Sequence, residues 1–174
     1  VNQFLRPRTA LTHFLDKPHS DSYSSPSGFI FHVSRCGSTL VSGCLAECGR
    51  TDVLSESPLL TEVLLDSGLT VDERSRLLPI LIGLQGRGSP ESVAVTVKWN
   101  AWDLFHWSLI RALFPEVPVL LLIRDPVEVL ASHQCLAGRH MAGDPSLAGW
   151  NSVFAGMSPD ESMLDFRIRI LHSL

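Results

Sequence analysis

A turn rich in small residues, S-R-C-G-S-T at residues 34–39, carries the strongest chemical signal in this sequence. It follows an apolar segment, residues 29–33, and precedes a segment with helical periodicity. Gly37 allows a ligand to approach the backbone, and the N–H groups after it lie at a predicted helix N-terminus. Arg35 adds a fixed positive charge with several donors. The turn therefore predicts a phosphate site, and the alternative is an ordinary strand–helix turn capped by Ser38.

The turn lacks the features of a nucleoside-triphosphate site. Such a site needs G-x-x-x-x-G-K-[ST], in which the lysine contacts the terminal phosphates and the hydroxyl binds magnesium. Here Ser38 follows Gly37, and the basic charge lies before the glycine, at Arg35. A divergent nucleotide kinase or NTPase remains an alternative, and the turn offers no obvious magnesium ligand.

The segment F-H-V-S-R-C-G-S-T-L resembles the 5′-phosphosulfate loop of sulfotransferases, which use 3′-phosphoadenosine 5′-phosphosulfate. The common form of that loop is P-[RK]-S-G-[ST]-T. The matching residues are Arg35, Gly37, Ser38 and Thr39. Ser34 stands in place of the proline, and Cys36 in place of the usual serine. The resemblance implies that residues 35–39, Cys36 included, bind this donor.

A second stretch resembles the element with which these enzymes hold the 3′-phosphate of the donor. That element is a strand ending in Arg, followed by Asp or Asn, with a Ser eight residues after the Arg. Here L-L-L-I-R-D-P-V-E-V-L-A-S supplies Arg124 and Ser132 at that separation. Taken alone, an R-D-P turn after a strand is more often a structural cap. Together with the first loop, it implies a donor-binding role for both residues.

The resemblance also implies a general base, which accepts the proton of the acceptor hydroxyl. Cytosolic sulfotransferases carry a K-T-H string, but here Lys98 is followed by Trp99 and Asn100, so that histidine is absent. The chain is closer to tyrosylprotein sulfotransferases and related bacterial enzymes. Their base is a glutamate 21 residues after the loop arginine, which corresponds to Glu56. The implied catalytic residues are Glu56, Arg35 and Lys98. The alternative for Glu56 is a solvated carboxylate near a helix start.

The function implied by this resemblance is sulfuryl transfer from 3′-phosphoadenosine 5′-phosphosulfate to an acceptor hydroxyl, by in-line displacement. The donor is a co-substrate, and no metal is expected, since the seven histidines show no ligand spacing. The acceptor class is not identified by any motif. A catalytically silent module that binds a nucleotide is a further alternative. Trp99, next to Lys98 at a strand end, is expected to contact a ligand.

Elements that would position these residues alternate along the chain. Segments 29–33, 92–98 and 117–123 are predicted strands, and helical segments lie between them. This alternation predicts an α/β fold of the P-loop type, three layers around a mostly parallel sheet, with ligands at the carboxyl ends of the strands. The continuous apolar run 117–123 predicts a strand covered on both faces.

Several short patterns predict where helices begin and end. Ser57 and Pro58 open a helix over 59–66, and Thr70 with Glu73 forms a capping box for a helix ending near Gly83. Gly49 suits the C-terminal cap of the helix after the phosphate turn. A second box, over residues 158–161, is expected to open a helix that still runs at the end of the sequence.

Composition limits the remaining possibilities. The 174 residues are 45% hydrophobic and 18% charged with a net charge of -4, which predicts one globular domain and no broad basic surface for nucleic acid or anionic lipid. Four cysteines in no framework favour a reducing compartment, and no apolar run could span a bilayer, so a cytoplasmic location is expected. The predicted organisation is an arm over 1–27 and an incomplete sulfotransferase-like domain over 28–174.

Overall fold

The computed structural model describes residues 12–15, 25–48, 51–86, 94–144 and 157–174. Within these ranges, strands and helices alternate along the chain. The helices and strands are α1 (Thr12–Leu15), β1 (Gly28–His32), α2 (Ser38–Glu47), β2 (Thr51–Ser55), α3 (Pro58–Leu65), α4 (Val71–Gln85), β3 (Ala94–Lys98), α5 (Trp107–Leu113), β4 (Val119–Leu122), α6 (Pro126–Cys135) and α7 (Met163–Ser173). Two 3₁₀ helices, Ala101–His106 and Arg139–Met141, precede α5 and follow α6.

The four described strands form one parallel sheet in the order β2-β3-β1-β4, flanked by helices. This confirms the predicted α/β class and is consistent with three layers. Lys98, at the end of β3, pairs with Ile30 of β1 on one side and with Ser55 of β2 on the other. Because the strands are parallel, residues that follow β1, β2 and β3 meet at one edge of the sheet.

The two faces of the central strands carry different residues, since successive side chains in a strand alternate. Phe29 and Phe31 of β1, with Val97 and Trp99, join the main apolar core. The core side chains of α3 and α4 include Leu60, Val63, Leu64, Leu77 and Leu78. His32 and Lys98 belong to the alternate set, which faces away from this core. The expectation that Trp99 contacts a ligand is therefore wrong: its ring stacks on Phe31 at a centroid distance of 6.0 Å and is buried.

Strand β2 has no clear signal in the sequence. Only Val53 and Leu54 are apolar among its five residues, and the strand is half-buried rather than part of a continuous apolar run. Its formation depends on the backbone ladder, in which all five residues, Thr51–Ser55, pair with β3. The strand matters because Glu56 follows it directly.

The predicted N-terminal caps of α3 and α4 are confirmed. The Ser57 hydroxyl accepts a hydrogen bond from the Leu60 N–H at 3.5 Å. Thr70 and Glu73 form the reciprocal box, in which the Thr70 N–H donates to the Glu73 carboxylate at 2.7 Å. The helical segment predicted between the strands at 92–98 and 117–123 forms as a 3₁₀ helix, Ala101–His106, that continues into α5. The expected cap Gly49 and the first residues of the predicted strand 92–98 lie outside the described residues.

The predicted start of the last helix is wrong. Residues 158–161 form a turn, and α7 begins at Met163, with Ser162 as its cap. The Ser162 hydroxyl accepts from the Asp165 N–H at 3.1 Å, while the Glu161 carboxylate pairs with Arg169 at 2.9 Å. Two capping patterns, at residues 158–161 and 162–165, adjoin in this stretch. The Glu161 carboxylate accepts from the Ser158 N–H at 3.3 Å, but the helix begins at the later pattern.

Strand β4 is not covered on both faces. It pairs with β1 and stands last in the order of the described strands, and Leu121 and Ile123 at its end are exposed. At the other end of the chain, Phe14 and Leu15 of α1 pack against the main core. All four cysteines are free thiols. No helix in the described ranges is long and apolar enough to cross a membrane.

Candidate active site

The turn between β1 and α2 has an unusual backbone. Gly37, with φ of 85°, is the N-terminal cap of α2, so the expected alternative of a Ser38 cap does not hold. Ser34 and Arg35 also adopt positive φ, 72° and 50°. A left-handed backbone costs a non-glycine residue about 1–2 kcal/mol. The turn thus has a strained form that the surrounding structure must hold, a property that clusters at functional sites.

Glu56 is the third non-glycine residue with positive φ in the described ranges, at 49°. It follows β2, and its N–H donates to the Lys98 carbonyl at 2.7 Å, which extends the β2–β3 ladder by one bond. The left-handed turn at Glu56 ends the strand and leads into α3 through Ser57. The three non-glycine residues with a left-handed backbone therefore lie on two turns at the same edge of the sheet.

Lys98 and Glu56 form an ion pair at this edge. The Lys98 Nζ lies 2.5 Å from Glu56 Oε1 and 3.3 Å from Thr39 Oγ1, which it reaches across the start of α2. The lysine side chain is 2% exposed, whereas the glutamate is 41% exposed. The ammonium is thus enclosed by protein, while the carboxylate faces open space. Three predicted site residues, Glu56, Lys98 and Thr39, are in direct contact.

His32, at the end of β1, is a further neighbour of Glu56. Its Nδ1 accepts from the Ser34 N–H at 3.1 Å, so the proton of the neutral ring is on Nε2, 3.5 Å from Glu56 Oε1. That separation is long for a hydrogen bond, but it is short enough for the Nε2–H dipole to stabilise the Glu56 carboxylate electrostatically. His32 and Lys98 together lower the pKa of Glu56 to about 2, against the opposing effect of burial. Glu56 is therefore ionised at neutral pH.

Arg35 and Arg124 are linked through the backbone of the turn. The Arg124 Nη1 donates to the Arg35 carbonyl at 3.1 Å, and its Nε pairs with Glu128 at 2.6 Å. The Arg35 guanidinium donates to the Leu136 carbonyl. The two predicted phosphate-binding arginines thus lie side by side. Ser132, the second residue of the Arg124 motif, is half-buried on α6.

A cavity of about 700 Å³ lies over the turn. Most of the predicted donor-binding residues line it: Arg35, Gly37, Ser38, Thr39 and Ser132. Glu56 lines it too, whereas Cys36, Lys98 and Arg124 are not among the residues at its wall. A Cβ built on Gly37 would meet nothing within 4 Å, so open space adjoins the turn. The free N–H groups of the first turn of α2 and the charge of Arg35 suit this space for an anion.

A second cavity, of about 300 Å³, adjoins the first. The residues common to both walls are His32, Ser34, Glu56, Gly138 and Arg139. The smaller cavity extends from them between the start of α3 and the 3₁₀ helix 101–106, where its wall includes Thr61, Glu62, Asn100 and Trp102. The carboxylate of Glu56 therefore stands where the two cavities meet.

Sequence reasoning missed two histidines of this region, His133 and His140, because no sequence motif includes them. His140 and Trp102 line the smaller cavity, with ring centroids 5.3 Å apart, and His133 lies behind them, 5.5 Å from His140. Burial lowers the pKa of His133 to about 4 and that of His140 to about 3, so both rings are neutral at pH 7. Spacing alone could not place residues 102 and 140 together, since they are distant in the chain.

A buried polar network supports the wall of the smaller cavity. The Asn100 Nδ2 donates to Thr61 Oγ1 at 2.7 Å, and Thr61 Oγ1 donates to the Asp103 carboxylate at 3.1 Å. Asp103 also accepts from the Asn100 N–H at 2.9 Å. Burial raises the pKa of Asp103 to about 7, although these hydrogen bonds oppose the shift. The network fixes the orientation of the Asn100 amide at the end of β3.

Among the described residues, no group of three or more His, Cys, Asp or Glu side chains is arranged to hold a metal ion. Comparisons of the chain with protein-family models, with curated proteins and with solved structures found no match.

Proposed function

We propose that the protein is a sulfotransferase, which transfers a sulfuryl group from 3′-phosphoadenosine 5′-phosphosulfate to an acceptor hydroxyl. The observation that carries the proposal is the position of the Glu56 carboxylate at the junction of two cavities. A transfer reaction needs a donor site, an acceptor site and a base between them. The larger cavity, lined by the turn at residues 34–39, is the donor site, and the smaller is the acceptor site.

The larger cavity has the size and the groups that such a donor needs. Its volume of about 700 Å³ is within the usual range for nucleotide-sized ligands. The 5′-phosphosulfate would lie against Gly37 and the N-terminus of α2, beside the hydroxyls of Ser38 and Thr39. The 3′-phosphate would lie near Ser132 and Arg124. Arg124 reaches it only if its guanidinium moves away from Glu128, with which it now pairs.

The chemistry follows from the order of these groups. The acceptor oxygen attacks sulfur, a new O–S bond forms, and the S–O bond to the 5′-phosphate breaks. Glu56 takes the proton of the acceptor hydroxyl. The electron pair of the broken bond remains on the leaving adenosine 3′,5′-bisphosphate, where Arg35 and Lys98 stabilise the negative charge. As in phosphoryl transfer, most of the rate acceleration comes from positioning of the reacting groups and from electrostatic stabilisation of the transition state.

The pairing of Lys98 with Glu56 links donor binding to the strength of the base. While paired, Glu56 is ionised but holds a proton weakly, because its pKa is about 2. Lys98 Nζ already lies 3.3 Å from Thr39 Oγ1, at the start of α2. A donor at α2 would attract the ammonium toward its own charge. The pKa of Glu56 would then rise, and its carboxylate would become a better proton acceptor.

The decisive test is calorimetric titration of the protein with adenosine 3′,5′-bisphosphate in the presence of EDTA. We expect binding without magnesium, and a Kd about 10- to 100-fold higher in Arg35→Ala, since a hydrogen bond to a charged group contributes about 1.5–3 kcal/mol. Arg124→Ala should also bind more weakly. Arg169→Ala is the matched control, because Arg169 lies on α7 and lines neither cavity.

Other outcomes would contradict the proposal. Binding of ATP that depends on magnesium, with no binding of the bisphosphate, would favour the kinase or NTPase alternative. Equal affinity of Arg35→Ala and the unaltered protein would exclude the turn at residues 34–39 as the phosphate site. Bisphosphate binding without transfer of labelled sulfate to any hydroxyl compound would indicate a catalytically silent module.

A further inference from the structure

The smaller cavity carries information on the acceptor, which the sequence motifs do not identify. We propose that the acceptor is a neutral polyhydroxyl compound of single-ring size, such as a monosaccharide unit, which binds in this cavity with one hydroxyl toward Glu56. This inference rests on the proposed function.

The size of the cavity limits the acceptor. A volume of about 300 Å³ is at the lower end for small-molecule sites, which suits a compact acceptor such as one substituted ring. The cavity begins at Glu56 and His32, where it meets the larger one. A ring that fills it therefore places one of its substituents at the carboxylate.

The wall of the cavity is rich in groups that bind hydroxyls. The Asn100 Nδ2 donates to Thr61, and the amide oxygen of Asn100, which has two lone pairs, can accept from a hydroxyl. The Thr61 oxygen already accepts from Asn100 and donates to Asp103, which holds this wall rigid. Glu62 adds a carboxylate that accepts hydrogen bonds. Hydroxyl groups, which donate and accept, satisfy such a set.

The charges around the cavity favour a neutral compound. The carboxylates of Glu56 and Glu62 repel an anionic acceptor. The Lys98 ammonium offsets the charge of the Glu56 carboxylate, and Arg139 lines the same cavity as Glu62. The positive group that a cationic acceptor would meet at this wall is the Arg139 guanidinium, which also pairs with Asp144 at 2.9 Å. His140, on the same wall, is neutral at pH 7 and adds no charge.

A flat phenol fits these groups less well. Pro58, Ala101 and Trp102 give the cavity an apolar part, which matches the C–H face of a sugar ring as well as an aromatic ring. A phenol, however, has a single hydroxyl, and that hydroxyl would be directed at Glu56. Binding it would remove water from Asn100 and Glu62 without replacing their hydrogen bonds, which is unfavourable.

The experiment measures binding and transfer separately on the full chain. The probes are methyl β-D-glucopyranoside, methyl β-D-galactopyranoside and methyl α-D-mannopyranoside, with p-cresol as the phenol. Saturation-transfer difference NMR in the presence of adenosine 3′,5′-bisphosphate detects binding, and transfer of ³⁵S from the labelled donor detects reaction. We expect signals and label for at least one glycoside and a lower response for p-cresol.

A variant pair tests the location. Glu62→Ala removes an exposed carboxylate from the cavity wall, and Glu116→Ala removes an exposed one that lines neither cavity. The first should raise the KM for the glycoside about tenfold or more, as expected for loss of a charged hydrogen bond. The second should leave KM unchanged.

The failures are distinguishable. Absence of adenosine 3′,5′-bisphosphate binding would refute the proposed function, and the acceptor assignment with it. If the bisphosphate binds but no glycoside gives a signal or accepts label, whether or not p-cresol does, the acceptor assignment is wrong and the donor site stands. An unchanged KM in Glu62→Ala would likewise overturn the placement of the acceptor in this cavity.

Discussion

Breaking the Lys98–Glu56 pair from either side should have unequal effects on stability. Glu56→Gln leaves an ammonium that is 2% exposed without its anion, whereas Lys98→Met leaves a carboxylate that is 41% exposed and can be hydrated. Removing one partner of a fully buried pair costs about 3–5 kcal/mol, and an exposed pair contributes about 0–1 kcal/mol. We therefore expect Glu56→Gln to lower the free energy of unfolding by about 2–3 kcal/mol. Lys98→Met should lower it by about 1 kcal/mol or less.

Urea unfolding at pH 7, followed by circular dichroism, measures these differences. The double variant Glu56→Gln/Lys98→Met should be more stable than Glu56→Gln alone, because it leaves no buried charge without a partner. Glu128→Gln is the matched control. It breaks an exposed ion pair with Arg124 and should change stability by less than about 1 kcal/mol.

The opposite order would refute this reasoning. If Lys98→Met were the more destabilising of the two variants, the ammonium could not be the enclosed partner, and the carboxylate would have to be buried instead. Equal stability of Glu56→Gln and the unaltered protein would mean that the pair does not form in solution. Either result would also remove the basis for linking donor binding to the pKa of Glu56.

Two further predictions concern the backbone and pH. Gly37→Ala should destabilise the protein by about 1–2 kcal/mol because of its positive φ, whereas Gly43→Ala, in the interior of α2, should stabilise it by about 1 kcal/mol, both measured by urea unfolding. Near pH 5, His133 and His140 together bind about two more protons in the unfolded chain than in the native state, whereas Asp103 binds about one more in the native state. The unfolded chain thus binds about one proton more in total, so the free energy of unfolding should increase by about 1.4 kcal/mol for each unit by which the pH rises. Asp103→Asn should steepen this slope, and urea midpoints between pH 4.5 and 6 would show it.

Local patterns in the sequence predicted much of the framework. The apolar run before residues 34–39, the periodic segment after them and the capping residues Ser57 and Thr70 act over a few neighbouring residues, and the structure forms as they indicate. Strand β2 was missed because its stability comes from pairing with β3, a partner that is distant in the chain. The start of α7 was misplaced because two adjacent capping patterns, together spanning residues 158–165, could each open the helix.

The candidate site was predictable in part. The residues of the turn at 34–39 are placed by one strand and one helix, and Glu56 and Lys98 meet because parallel strands end at one edge. Trp99 was wrongly expected at the ligand, although strict alternation along β3 places Lys98 and Trp99 on opposite faces. The second cavity was not predictable, because its wall joins side chains from separate elements that only tertiary packing brings together.

The left-handed backbone at Ser34, Arg35 and Glu56 sets stability and ligand binding against each other. Glycine or asparagine at these positions would relieve backbone strain, so a screen for abundance alone would favour such replacements. The same replacements would remove the guanidinium from the larger cavity and the carboxylate from the junction. A variant stabilised in this way would thus have a higher free energy of unfolding but weaker ligand binding and no carboxylate at the junction. This trade-off is expected where backbone strain and function depend on the same residues.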